Sequence, residues 1–93
     1  MLRTTSDVME LRRWAEARGG RPCRDPASGR LEIAFPGDPC AVDVGWDELE
    51  PAFMWARSVF VYDDAPGARR SFIGATDEAH AFLVGEARPD AHV

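Results

Sequence analysis

Apolar and polar positions alternate along this chain with two different periods, and the period changes several times. From Val8 to Ala15 the apolar residues Val8, Leu11, Trp14 and Ala15 recur at three- and four-residue spacing, which places them on one side of a helix. The pattern predicts a helix from Asp7 or Val8 to about Arg18, with Ser6 or Asp7 as its cap and Glu10 at capping-box distance from Asp7. Gly19-Gly20 supplies residues that tolerate positive φ at a helix end. Pro22 blocks any resumption of the helix and biases Arg21 toward extended backbone.

The period then shortens to two. Arg21–Arg24 and Leu31–Phe35 flank the turn signal Asp25-Pro26-Ala27-Ser28-Gly29, so they read as a hairpin with Leu31, Ile33 and Phe35 on one face. Pro36-Gly37-Asp38-Pro39 ends it. Val42, Val44 and Trp46 alternate again, as a third strand or an extended lead-in. A second helix is expected from Asp47, with Asp47 and Glu50 repeating the capping-box spacing and Pro51 in the first turn. Leu49, Phe53 and Ala56 form its inward stripe with Ala52 beside them, while Met54 and Trp55 widen its apolar surface.

Val59–Tyr62 is β-branched and aromatic and is expected at the centre of a sheet. After the turn at Asp63–Gly67, Arg70–Ile73 returns as its partner. Thr76-Asp77-Glu78 resembles a helix start, with Ala79, Phe82 and Leu83 inward, and 86–93 is expected to be a disordered tail. The connections suit hairpins and are too short for several parallel crossovers. The expectation is therefore one α+β domain over residues 1–93: a small antiparallel sheet of four to five strands with two to three helices packed on one face.

At this point the residues resemble a known family. The run Leu11-Arg12-Arg13-Trp14-Ala15-Glu16-Ala17-Arg18-Gly19-Gly20-Arg21-Pro22 is similar to the start of a family of short bacterial proteins. Leu31–Gly37 resembles that family's L-x-I-x-F-P-G element, Gly45–Leu49 its W-D-E-F segment and Val61-Tyr62-Asp63 its following strand. The resemblance covers about residues 6–63 and departs after Phe72, where the family tends to end in a strand and Thr76–Leu83 reads as a helix. Members are often labelled 1,4-alpha-glucan branching enzyme. Enzymes of that type need a (β/α)₈ barrel of typically about 250 residues, so the resemblance implies a fold and an uncharacterised function. It carries over no catalytic residue.

Composition narrows the chemistry. All 11 basic residues are arginine, with no lysine, asparagine or glutamine, a pattern that looks like coding bias and weakens any argument from arginine at a single site. Net charge is −5 but uneven: residues 1–30 hold seven arginines and four acids, residues 31–93 four arginines and twelve acids. An acidic domain is repelled by phosphate backbones and anionic lipids unless a basic patch stands apart. Arg12, Arg13, Arg18, Arg21 and Arg24, with Arg30, are the candidates for such an anion-binding stripe. Few aromatics interleave it, which disfavours stacking on single strands.

Other constellations read as structural. Asp43, Asp47, Glu48, Glu50 and Asp63-Asp64 are expected as caps, turn residues and surface rather than as a catalytic pair. His80 and His92 stand too far apart in sequence to suggest a metal site, no serine lies in a nucleophile motif, and no cofactor or metal is implied. Cys23 and Cys40 are expected as free thiols in a reducing cytoplasm, a bridge between them requiring that the strands carrying them be neighbours. The segment Met1–Asp7 lacks the apolar stretch of a signal peptide, and no run reaches the length needed to span a bilayer.

The preferred functional reading is a non-enzymatic, cytoplasmic protein-interaction domain, or a homodimer, with Met54 and Trp55 at the contact. A nucleic-acid-associated protein using the arginine stripe is the alternative, and a small carbohydrate-related enzyme the least favoured.

Overall fold

A computed structural model of the chain describes residues 1–87. The chain order is β1 (Leu2–Thr5), α1 (Val8–Glu16), β2 (Arg21–Arg24), β3 (Leu31–Ala34), β4 (Val42–Asp43), α2 (Trp46–Trp55), β5 (Val59–Asp63), β6 (Ser71–Gly74) and α3 (Thr76–Ala87). The fold is α+β. Its strands form two three-stranded antiparallel sheets, in the orders β1-β5-β6 and β3-β2-β4, rather than the one expected sheet. β3 and β6 lie side by side at the facing edges without sharing a ladder.

Helix α1 forms where its periodicity places it. The Asp7 side chain accepts from Met9 N–H at 2.9 Å, the N-cap bond. Glu10 does not close the expected capping box; it accepts from Thr5 Oγ1 at 3.0 Å and from the Tyr62 hydroxyl. The helix stops at Glu16 because Gly19, at φ +71°, turns the chain and Gly20 N–H returns to Ala15 O at 2.8 Å. Gly20 fits only as glycine. A Cβ there would lie 2.7 Å from Ile33 Cγ2 and 3.1 Å from the Phe35 ring, so the close approach of helix end and β3 requires its absence.

One core spans both sheets. Val8, Leu11, Trp14 and Ala15 of α1, Leu49 and Phe53 of α2, Ile33 and Phe35 at β3, and Phe60, Tyr62 and Ile73 of the other sheet are all buried in it. Trp14 is its hub: its ring lies 5.4 Å from Phe60 and 5.6 Å from Phe35 in edge-on geometry, and its Nε1–H donates to Asp63 O at 2.8 Å.

The helices do not share one face. Antiparallel partners point the same way. Phe60 pairs with Ile73, and Val61 with Phe72. Trp14 of α1 lies against Phe60, while Phe82 of α3 stacks on Phe72 at 5.1 Å. Helix α3 therefore covers the face opposite α1, which explains why consecutive residues Phe60, Val61 and Tyr62 are all buried. As expected, Ala79 is buried with Phe82 and Leu83 half-buried. The helix runs on through Ala87; residues 88–93 of the expected tail, including His92, lie outside the described residues.

Four further features differ in detail from the expectation. Strand β1 was not anticipated: its Leu-Arg-Thr-Thr sequence has little apolar signal, and it exists because its backbone completes the ladder along β5 from Leu2↔Asp63 to Thr5↔Phe60. The Val42–Trp46 alternation yields only the two-residue β4, with Val42 exposed, because Trp46 already belongs to α2. The cap of α2 is Gly45, two residues before Asp47, and no side chain caps that end; Trp46 is the first helical residue, with the Arg12 guanidinium 5.3 Å over its ring. Ala56 is the exposed C-cap of α2 and not part of its inward stripe.

The cysteines are also corrected. Cys23 and Cys40 form a disulfide with Cα atoms 5.9 Å apart, inside the usual range. The condition for a bridge is met because β4 pairs with β2, with Cys23 opposite Asp43, and brings Cys40 alongside.

Candidate functional site

The end of α2 exposes what the rest of the fold hides. Leu49 and Phe53 are one helical step of four apart and both point into the core, at 0% and 1% exposure. Residues at about 100° and 200° further round a helix of 3.6 residues per turn must then leave that face. Those residues are Met54, 65% exposed, and Trp55, 88% exposed. The helix is closed by Arg57 N–H to Met54 O at 3.1 Å and Ser58 N–H to Phe53 O at 3.0 Å. Arg57 adopts φ +52°, the left-handed conformation that usually falls to glycine after a helix. Met54, Trp55 and Arg57 line an open hollow of about 390 Å³.

The candidate arginines do not gather into one stripe. Arg12 bonds Glu50 at 2.9 Å and Glu16 at 3.2 Å. Arg24 reaches Gly29 O at 2.9 Å and Glu48 at 3.4 Å, and Arg21 bonds Asp43 at 3.2 Å. Arg18 turns to the β5–β6 connection, where it donates to Ala68 O and Ala65 O while its guanidinium lies 4.5 Å over Trp14. Arg30 crosses to the other sheet, donating to Ile73 O and Glu78 with its charge over Phe72. Arg13 is exposed on α1. Five of these six side chains thus tie one segment to another. The carboxylates Asp43, Glu48 and Glu50 are the acceptors of three of these ties, and Asp47 lies exposed in the first turn of α2.

Asp63 is the last residue of β5, paired with Leu2, rather than part of the expected turn, and Asp64 follows it. Asp63 accepts from Ala65 N–H and then from the Met1 ammonium, and these bonds hold its carboxyl below the usual range. Asp64 is lowered by Arg3 first and the same ammonium second.

Sequence reasoning missed one polar cluster. The Tyr62 hydroxyl donates to Glu10 at the edge of the core, and that bond, with burial, raises the Tyr62 pKa above its ordinary value. Tyr62 reads as a core strand residue and Glu10 as a cap partner, so nothing in their spacing joins them; the pairing depends on α1 lying across β5.

Among the described residues no polar or charged side chain is fully buried. Nor does any group of three or more His, Cys, Asp or Glu there suit a metal ion. His80 is exposed on α3. The hollow along the β3–β6 seam, about 320 Å³, is open and lined by Glu32, Asp38, Arg69 and Ser71 above Phe35 and Ile73. No described helix is long and apolar enough to cross a membrane. No protein-family model, curated protein or solved structure matches the chain.

Proposed function

We propose that the chain is a non-enzymatic protein-interaction domain that docks through the C-terminal end of α2. One observation carries the reading: Trp55, 88% exposed beside Met54 at 65%, in a molecule whose other tryptophans are drawn into or against the core. A solvated tryptophan contributes nothing to the fold, while burial of a large apolar side chain is worth about 1.5–3 kcal/mol. Tryptophan and arginine are also the side chains that most often dominate protein contacts. Arg57 stands beside the patch and forms no ion pair among the described residues. The fitting partner offers an apolar pocket with an acidic rim. A second copy of this chain is the first such partner to consider, the unlike charge of residues 1–30 and 31–93 orienting the contact, and the cytoplasm is the compartment we assign to the contact.

Sedimentation across micromolar concentrations tests this directly. The expected result is an apparent mass above 10.3 kDa that Trp55→Glu returns to the monomer value. The substitution should leave stability within about 0.5 kcal/mol, as surface changes do. A wild type that stays monomeric throughout removes the homodimer. Native-lysate capture that Trp55→Glu does not alter removes the docking face altogether.

A further inference from the structure

The Cys23–Cys40 bridge closes the connection between β3 and β4, and little else does. Residues 36–41 contain no strand or helix. Their ordered turn, Phe35 N–H to Asp38 Oδ2 and Asp38 N–H to Phe35 O, is internal to the segment. Strand β4 is two exposed residues long and pairs with β2 through Cys23↔Asp43 and Arg24↔Val42, and just beyond it the buried Val44 donates its N–H to Pro22 O at 3.4 Å. The ion pair of Arg21 with Asp43 is exposed on both sides, 51% and 78%, and such pairs are weak.

The bridge is also lopsided. Cys23 is 1% exposed, whereas Cys40 is half-buried at the surface. A thiolate from solvent therefore meets Cys40 Sγ first.

We propose that this disulfide is a redox-operated latch on the β2 edge. A dithiol reductant supplies the two electrons. One of its thiolates bonds to Cys40 Sγ, the Sγ–Sγ bond breaks, and Cys23 leaves as a thiolate that takes a proton. The reductant's second thiolate then attacks its own first sulfur. Cys40 is released as a thiol and the reductant becomes a cyclic disulfide. Once freed, residues 36–43 lift from β2 as far as the buried Val44, and Arg21–Arg24 changes from the middle of a sheet into an edge. Helix α2 stays seated through Leu49 and Phe53, so the device is local and independent of the Trp55 contact.

Amide hydrogen exchange of the whole chain, oxidised by oxidised glutathione and then reduced by dithiothreitol, reads this out. In the oxidised protein neither cysteine should take an alkylating reagent; after reduction both should. Exchange at Arg24 and Val42, the amides that face the β2–β4 ladder, should accelerate at least about tenfold on reduction, while β5 stays the more protected by at least about a hundredfold. The Cys23→Ala/Cys40→Ala variant should exchange like the reduced form with or without dithiothreitol. Alkylation of both thiols in the glutathione-treated protein would overturn the proposal. So would unchanged exchange at Arg24 and Val42 on reduction, or a β5 no better protected than they are, since the first means the segment needs no latch and the second means the bridge holds the whole fold.

Discussion

The two sheets solve the same problem with different materials. In β1-β5-β6 the central strand carries Phe60, Val61 and Tyr62 in succession, all buried, with α1 on one face and α3 on the other. In β3-β2-β4 the central strand is Arg-Pro-Cys-Arg, its flanking β4 is two exposed residues, and its only covalent cross-link is the bridge from Cys23 to Cys40. Arginines supply the other ties: Arg21 and Arg24 to acids of β4 and α2, and Arg30 across the seam to β6. The first sheet rests on apolar area removed from water, which is non-directional and additive along the strand. The second has too little such area, so it depends on bonds that a single substitution or reductant can remove.

That contrast can be broken at its strong side first. Phe60→Ala empties a fully buried site against Trp14 and should cost about 3–5 kcal/mol, a large part of the stability of so small a domain. Urea denaturation followed by tryptophan fluorescence measures it; a loss under about 1 kcal/mol would mean that burial is not what holds this sheet. The weak side comes next. Cys23→Ala with Cys40→Ala opens a loop of sequence separation 17, worth about 3 kcal/mol on the chain-entropy account. The same urea series checks it, and a loss equal to that of Phe60→Ala would erase the distinction between the sheets.

A smaller effect is expected at Arg18, which joins α1 to the β5–β6 connection through two carbonyls while covering Trp14. Arg18→Ala should lower stability by about 1–2 kcal/mol, after allowing for its partial exposure, and Arg18→Lys should recover only part of it because a lysine cannot span both carbonyls in a plane. Thermal melting of the pair decides this.

The mildest test is a titration. Tyr62 is the only tyrosine, and its bond to Glu10 raises its pKa above 10.0 in the folded chain. The contribution of that bond is complete below pH 10 and is lost as pH rises through the raised folded value. Ultraviolet absorbance of the phenolate should therefore show a midpoint above 10.0 in the folded protein, and Glu10→Gln should move it down. A midpoint that Glu10→Gln leaves unchanged would detach α1 from β5 at this point. At the acid end the sign reverses. Asp63 and Asp64 lie below 3.8 when folded, so their support is present above that value and disappears as pH falls through the lowered ones.

Legibility in the sequence followed the same division. The strong sheet was readable where its side chains are apolar: Val59–Tyr62 as a centre, Arg70–Ile73 as its partner and Ala79, Phe82 and Leu83 as an inward helix stripe. Its third strand was not, because Thr4 and Thr5 join by backbone hydrogen bonds that leave no pattern in the side chains. The hairpin of β2 and β3 was legible from its turn residues. The cap of α2 falls at Gly45, two positions before Asp47, and although Asp47 and Glu50 have the right spacing, Glu50 is taken by Arg12. Met54 and Trp55 lie beyond the inward stripe in the sequence pattern, whereas only the fold reveals that neither is covered.

By itself the sequence determined what depends on neighbours in the chain. Periodicity selected helix or strand, glycine and proline punctuated them, and the amount of apolar side chain selected an α+β core. Only the tertiary structure decided which surfaces meet. It put α3 opposite α1, split the strands into two sheets, joined Cys23 to Cys40 and sent the arginines to distant carbonyls and carboxylates. The physical reason is range. Backbone conformation and periodicity act over a few residues, but a bridge, an ion pair or an uncovered tryptophan is defined by segments that the chain brings together from far apart.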